Sequence, residues 1–166
     1  MELNTELFEA ICKTPGAPGY ENTIRSLIIK EIEGLTDEIK LDNLGNVYAI
    51  KKGNTNKKIM VAAHMDEIGF IVTHIDEQGF VRFHTLGGFD PKTLTAQKVI
   101  IHGKQDIIGV MGAKPIHVMS QEEKNKLPKT TDYFIDLGLP KVEVEKLVEI
   151  GNPITRYAEF LEIGDC

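Results

Sequence analysis

In the stretch KKIMVAAHMDEIGF, Lys57 to Phe70, an unbroken apolar run ends, with no turn residue between, in His64, Asp66 and Glu67. Side chains two apart in an extended chain share a face. His64 and Asp66 are therefore expected to project together, with Met65 and Glu67 on the other side. An imidazole and a carboxylate at this spacing suit a metal site, where one ring nitrogen binds the ion and the carboxylate fixes the ring. The alternative is a surface ion pair without catalytic consequence. H-x-D alone is short enough to arise by chance.

Other chemistries find less support. No G-x-S-x-G occurs, and Cys12 reads as a small core residue of a helix, which leaves no nucleophilic Ser or Cys site. GAPG lacks both the preceding strand and the Lys-Ser/Thr of a phosphate loop. A glycosidase needs two carboxylates across a cleft, whereas Asp66 and Glu67 are neighbours expected to face opposite ways. Among the remaining histidines, His74, His84 and His102 read as solvated or hydrogen-bonded residues on strand faces. His117, beside a proline turn in KPIHVM, is kept as a further candidate ligand.

The elements that must position these groups follow from periodicity. LNTELFEAICKTPG predicts a short helix with Leu3, Leu7, Phe8 and Ile11 on one face, a cap at Asn4 or Thr5, and a stop at Pro15-Gly16. A second helix is expected from about Glu21 to Gly34, with Ile24, Leu27, Ile28 and Ile32 inward. Strand-like runs follow, broken by the turn signals DNLGN and KKGNTN. The last run, Ile59 to Ala63, reads as a buried central strand of an α/β layer, and such sheets hold ligands beyond the carboxyl ends of their strands.

After Gly69 the texture changes to closely spaced short strands. Hairpins are expected at Asp76–Gly79 and at Gly103, with one more strand at YFIDLG. Short helices are expected at Ser120–Lys126, as a solvated face, and at Lys141–Glu149, opened by Pro140. This pattern predicts a small β-rich barrel or sandwich. The expected organisation is residues 1–68 as an α/β part, followed from residue 69 by the β-rich part.

The composition narrows the classes. The 166 residues are 42% apolar and 27% charged, as in a globular protein, and the net charge of −6 argues against a nucleic-acid partner. No segment has the length of a membrane span, and MELNTELFEA has no export signal. Two cysteines, Cys12 and Cys166, make no disulfide framework and suit a reducing cytoplasm.

Seven segments in order, TPGAPGYE, LDNLGNVYA, VAAHMDEIGFIV, GGFDPKTLTAQKVIIHG, GVMGAKPIH, YFIDLG and FLEIGD, resemble the metallo-aminopeptidases that form tetrahedral dodecamers. This is the TET or glutamyl aminopeptidase family, whose members are also labelled cellulase M. The resemblance implies a zinc-peptidase-like α/β catalytic domain interrupted by a β-rich, barrel- or PDZ-like dimerisation domain. It implies that His64 is a metal ligand and that Asp66 is the catalytic carboxylate supporting a metal-bound histidine. It further implies two divalent ions, zinc or cobalt, short peptides as substrates, and homo-oligomers built from dimers.

The same resemblance sets an expectation about incompleteness. In the family the segment after FLEIGD re-enters the catalytic domain with the remaining metal ligands and the general base. Glu122-Glu123 is not that missing pair, since SQEEKNK reads as a solvated helix. The 166-residue chain alone is therefore expected to be inactive and to self-associate through an unfinished sheet. Two rival readings are a non-catalytic oligomerisation module derived from the family and, less favoured by the carboxylates, an endoglucanase.

Overall fold

The computed structural model describes residues 4–164. The chain divides into two compact units, Met1–Glu67 with Phe160–Cys166, and Ile68–Glu159. Sequence texture places the first division after residue 68, and the family resemblance implies a second after 163, with 69–163 as the β-rich part and 164–166 as the start of a return to the first.

The first unit opens with α1 (Thr5–Lys13), where the Asn4 side chain accepts a hydrogen bond from Leu7 N at 3.0 Å, satisfying one of the orphan donors of the first turn. Thr14 Oγ1 donates to Ala10 O at 2.6 Å as the helix ends. Helix α2 (Asn22–Ile32) follows, with Ile24 buried. Strands β1 (Glu38–Leu41) and β2 (Val47–Ile50) pair antiparallel around Asp42–Gly45. Asp42 accepts from Asn46 Nδ2 and Asn46 N at 2.8 and 2.9 Å, and these bonds hold its carboxyl below the usual carboxylate range. Phe8 meets Phe160 edge-on at 5.5 Å, which ties the returning segment to α1.

Three expectations for this unit are corrected. The run Ile59 to Ala63 is not a strand, and Ile59, Met60 and Val61 are 92%, 89% and 91% exposed. A strand needs neighbours for its N–H and C=O groups, and among the described residues none pairs with this run. The only sheet of this unit among the described residues is the β1–β2 pair, so no α/β layer surrounds the run. The apolar face of α1 is also largely uncovered, with Phe8 and Ile11 exposed, and Cys12 is exposed rather than a core residue. Leu3, placed on that face, lies outside the described residues, as do Asp165 and Cys166. Of the four residues expected inward on α2, Ile24 is buried while Leu27, Ile28 and Ile32 are half-buried.

The second unit is a closed barrel, which is the β-rich architecture the spacing predicts. Its strands are β3 (Gly69–Ile75), β4 (Val81–Leu86), β5 (Lys98–His102), β6 (Asp106–Ala113), β7 (Tyr133–Asp136) and β8 (Pro153–Arg156). They run in the order β3-β4-β7-β6-β5-β8, and β8 returns to β3. Alternation sends Phe70 and Val72, Val81 and Phe83, Val99 and Ile101, and Tyr133 and Ile135 inward. Ile75 rejoins them because β3 slips register between Val72 and His74.

Both expected hairpins form, and β8 is a strand that the sequence reading missed. At the β3–β4 turn Gly79 has φ +90°, and a Cβ there would lie 2.7 Å from Leu139 O. Pro140 opens α4 (Lys141–Leu147), whose Val144 is fully buried in the core together with Val148. A short α3 (Gln121–Lys124) has a capping box in which Ser120 N donates to Glu123 Oε2 at 2.6 Å and Glu123 N donates to Ser120 Oγ at 3.2 Å. Lys114 Nζ bonds the same carboxylate at 2.7 and 3.0 Å. Among the described residues no helix is long and apolar enough to cross a membrane.

Two measurements check this account. Ile135→Ala should lose about 2–5 kcal/mol in urea denaturation of the barrel, since it opens a cavity at a residue with no exposure. Gly79→Ala should lose at least about 1 kcal/mol through its positive φ; unchanged midpoints would contradict the packing. Lys114 and then the Ser120 N–H lower the Glu123 carboxyl from 4.5 to about 2. What this bridge contributes to stability is thus present above pH 4.5 and lost as pH falls toward 2. An NMR titration should find that low value in the native chain and a rise toward 4.5 in Lys114→Met.

Candidate functional site

His64 and Asp66 come together as their spacing predicts, although the backbone carrying them belongs to no strand. His64 Nδ1 lies 2.9 Å from Asp66 O and 3.0 Å from Asp66 Oδ1. A backbone carbonyl can only accept, so Nδ1 carries the proton and shares it between the two oxygens. In the neutral ring the lone pair is then left on Nε2. The imidazole is 85% exposed, so that nitrogen is open to a ligand. This is the arrangement in which a carboxylate sets the tautomer and aim of a metal-binding histidine.

The alternation continues on the other side of the chain. Glu67 N donates to Gly16 O at 2.9 Å, and Gly16 N donates to Glu67 Oε1 at 3.4 Å. The two bonds fasten the His64–Glu67 segment to the loop between α1 and α2. The approach is close: a Cβ on Gly16 would lie 2.6 Å from Ile24 Cγ2 and 3.5 Å from Met65 O. A second clamp joins α2 to the hairpin turn, where Arg25 Nε donates to Gly45 O at 2.8 Å. The sequence reading missed both clamps. Their only signals were the glycines in TPGAPG and DNLGN, which had been read as turns.

Asp66 and Glu67 thus have different partners and do not form a carboxylate pair across a cleft. His117 sits exposed on a short 3-10 turn, Ile116–Val118. His74 and His84 are exposed, and His102 bonds Asp106 Oδ1 at 2.8 Å and Thr155 Oγ1 at 2.9 Å.

A catalytic zinc takes three protein donors and keeps one open position. His64 offers one donor, with Asp66 already engaged in holding it. Among the described residues no group of three or more His, Cys, Asp or Glu could hold a metal ion. These residues do not by themselves fit a metal centre of one or two ions.

Comparison with known proteins places the pair in context. The signature of the M42 glutamyl aminopeptidases matches residues 45–166, which includes the His64–Asp66 pair and the whole barrel. The chain belongs to that family. The lysyl aminopeptidase of Pyrococcus furiosus is 40% identical over 160 residues, covering 95% of this chain and 46% of that protein. The crystal structure of a TET aminopeptidase from a marine sediment archaeon of the Thaumarchaeota superposes with a TM-score of 0.91 at 34% identity, covering 96% of this chain and 45% of the other. The TET1 peptidase of Pyrococcus horikoshii, which can assemble into a tetrahedron or a large octahedral shell, matches at TM-score 0.79 and 34% identity, over 92% of this chain and 46% of that one. A Thermotoga maritima structure named an endoglucanase matches at TM-score 0.78 and 35% identity, over 93% and 45%. The M42 chain spans about half the length of the curated relatives it matches.

The tautomer is directly testable. Nitrogen-15 NMR of His64 should show the Nδ1–H form in the native chain, and Asp66→Ala should shift it toward Nε2–H. The same tautomer in both would remove Asp66 from its orienting role.

Proposed function

We propose that this chain supplies one wall of the active site of a metal-dependent aminopeptidase acting on short peptides. The observation that carries the reading is His64 in an M42 chain, held by Asp66 through Nδ1 with Nε2 open. In this reading Nε2 is a ligand to one of two divalent ions, and Asp66 fixes the ring. The other donors, and the general base, come from polypeptide outside the described residues. His117 is a weaker candidate, since its exposed turn brings no second donor to it among the described residues.

The bare apolar run beside the site supports the same reading. Residues 59–61 are about nine-tenths exposed, a state that costs free energy in water unless another surface covers them. We take this run as a strand of a larger sheet whose neighbours lie on that further polypeptide. The barrel is proposed as the part through which copies associate, in line with the assemblies formed by the P. horikoshii peptidase. An exposed, unpaired Cys12 thiol fits a reducing cytoplasm.

A second reading as an endoglucanase has only names in its favour, those of the T. maritima structure and of a second structure named a peptidase/endoglucanase. The separate partners of Asp66 and Glu67 weigh against it, and hydrolysis of cellulose by a full-length form would revive it. The reading as a non-catalytic oligomerisation module would gain from a full-length form that binds no metal.

Activity and metal content test the proposal together. The 166-residue chain should bind no stoichiometric zinc or cobalt and should leave aminoacyl chromogenic substrates intact. A polypeptide extended to the length of its relatives should do both, and His64→Ala should cut its kcat/KM by about a hundredfold or more, the scale set by losing a metal ligand or its support. Family-like turnover by the short chain would overturn the proposed division of the site. Full activity in His64→Ala would overturn the ligand assignment.

A further inference from the structure

The long connection between β6 and β7, Lys114 to Asp132, folds over the end of the barrel and encloses an open cavity of about 670 Å³. That volume lies in the range of small-ligand sites, roughly 300–1,000 Å³. Nothing in the aminopeptidase reading uses it. Its apolar lining comes from Ile116, Met119 and Leu127, of which Ile116 is 70% and Leu127 75% exposed. At the barrel side, Thr95 Oγ1 and the hydroxyl of buried Tyr133 sit 3.2 Å apart and line the same space.

The charges around the cavity are unbalanced. Lys124, Lys126 and Lys129 all line it, and among the described residues none of the three ammonium groups has an ion-pair partner. Of the two carboxylates on the lining only Glu123 is paired with an ammonium, that of Lys114, and Asp132 keeps its charge on a backbone N–H, which leaves the lysines in excess. Glu123 is held by Lys114 and the Ser120 N–H, and Asp132 Oδ2 accepts from Lys129 N at 2.7 Å. An apolar hollow with unmatched ammonium groups selects a ligand with an apolar side chain next to an anionic end.

We propose that this cavity binds the C-terminal end of a short peptide, with the terminal carboxylate at Lys124, Lys126 and Lys129 and the last apolar side chain against Ile116, Met119 and Leu127. The choice of a peptide over another carboxylate rests on the aminopeptidase reading. The site then recognises the end of a peptide opposite to the one an aminopeptidase cuts. Peptides ending in an apolar residue with a free carboxylate are preferred over acidic or amidated ones.

The test uses N-acetyl-Ala-Leu-Leu, whose blocked amine makes it no aminopeptidase substrate, so the result is independent of any turnover. Titrated into the 166-residue chain by NMR, it should shift amides at Ile116, Leu127 and Lys129 in a saturable way. The C-terminal amide of the same peptide should bind about tenfold more weakly or worse, the worth of one charge-assisted hydrogen bond. The double variant K126E/K129E should lose binding by a similar factor, whereas Lys104→Glu, on the β5–β6 turn, should not. Equal binding of acid and amide by the native chain overturns the proposal whether or not the double variant folds. So does an absence of saturable shifts, or a response confined to other residues. Failure of the aminopeptidase reading alone would show as intact binding here with no hydrolysis by the extended polypeptide.

Discussion

Strand β8 gives one edge to β3 and the other to β5, so that Ile154 stands opposite Phe70 on one side and Ile101 on the other. This double pairing closes the barrel, and the rest of the second unit follows from it. Once the ring is closed no strand has a free edge, and alternation alone decides which residues face inward. Phe70, Ile101, Ile135 and Ile154 then share one interior with Val144 and Val148 brought in from the α4 region. The two bonds joining Val72 to Gly151 and Asn152 hold the approach to β8 against β3.

The same requirement for strand partners explains the opposite condition of residues 59–63. Their composition is that of a buried strand, but buried strands are made by their neighbours rather than by their own side chains. Without neighbours among the described residues, the run joins no sheet and stays wet. The His64–Glu67 segment that follows is nevertheless ordered, because Glu67 bonds the Gly16 loop and His64 bonds Asp66. Local hydrogen bonds can fix the aim of one histidine where they cannot build a sheet.

Much of this was readable in the sequence wherever the signal was local. Asn4 caps α1, Asp76–Gly79 turns the first barrel hairpin, Ser120 and Glu123 form a capping box, and Pro140 opens α4. The i, i+2 spacing of His64 and Asp66 was enough to foresee their contact. What escaped depended on distant partners. The strand at Pro153–Arg156 is only four residues long and owes its identity to β3 and β5. The burial assigned to Cys12 and to the Ile59 run assumed covering surfaces that the described residues do not provide. The Gly16–Glu67 clamp joins positions 51 residues apart, which no window along the chain could reveal.

Ala113 and Tyr133, the residues that bound the long β6–β7 connection, stand directly opposite each other in the sheet. To the barrel, the whole excursion is the tip of a hairpin. Its length and composition can therefore drift without disturbing strand register, since loop-closure entropy grows only slowly with length. The barrel thus behaves as a constant frame carrying a variable insert. Descendants of one ancestor could trade that insert to change what they recognise while keeping everything beneath it, and an experimenter could use the same junction as a graft point.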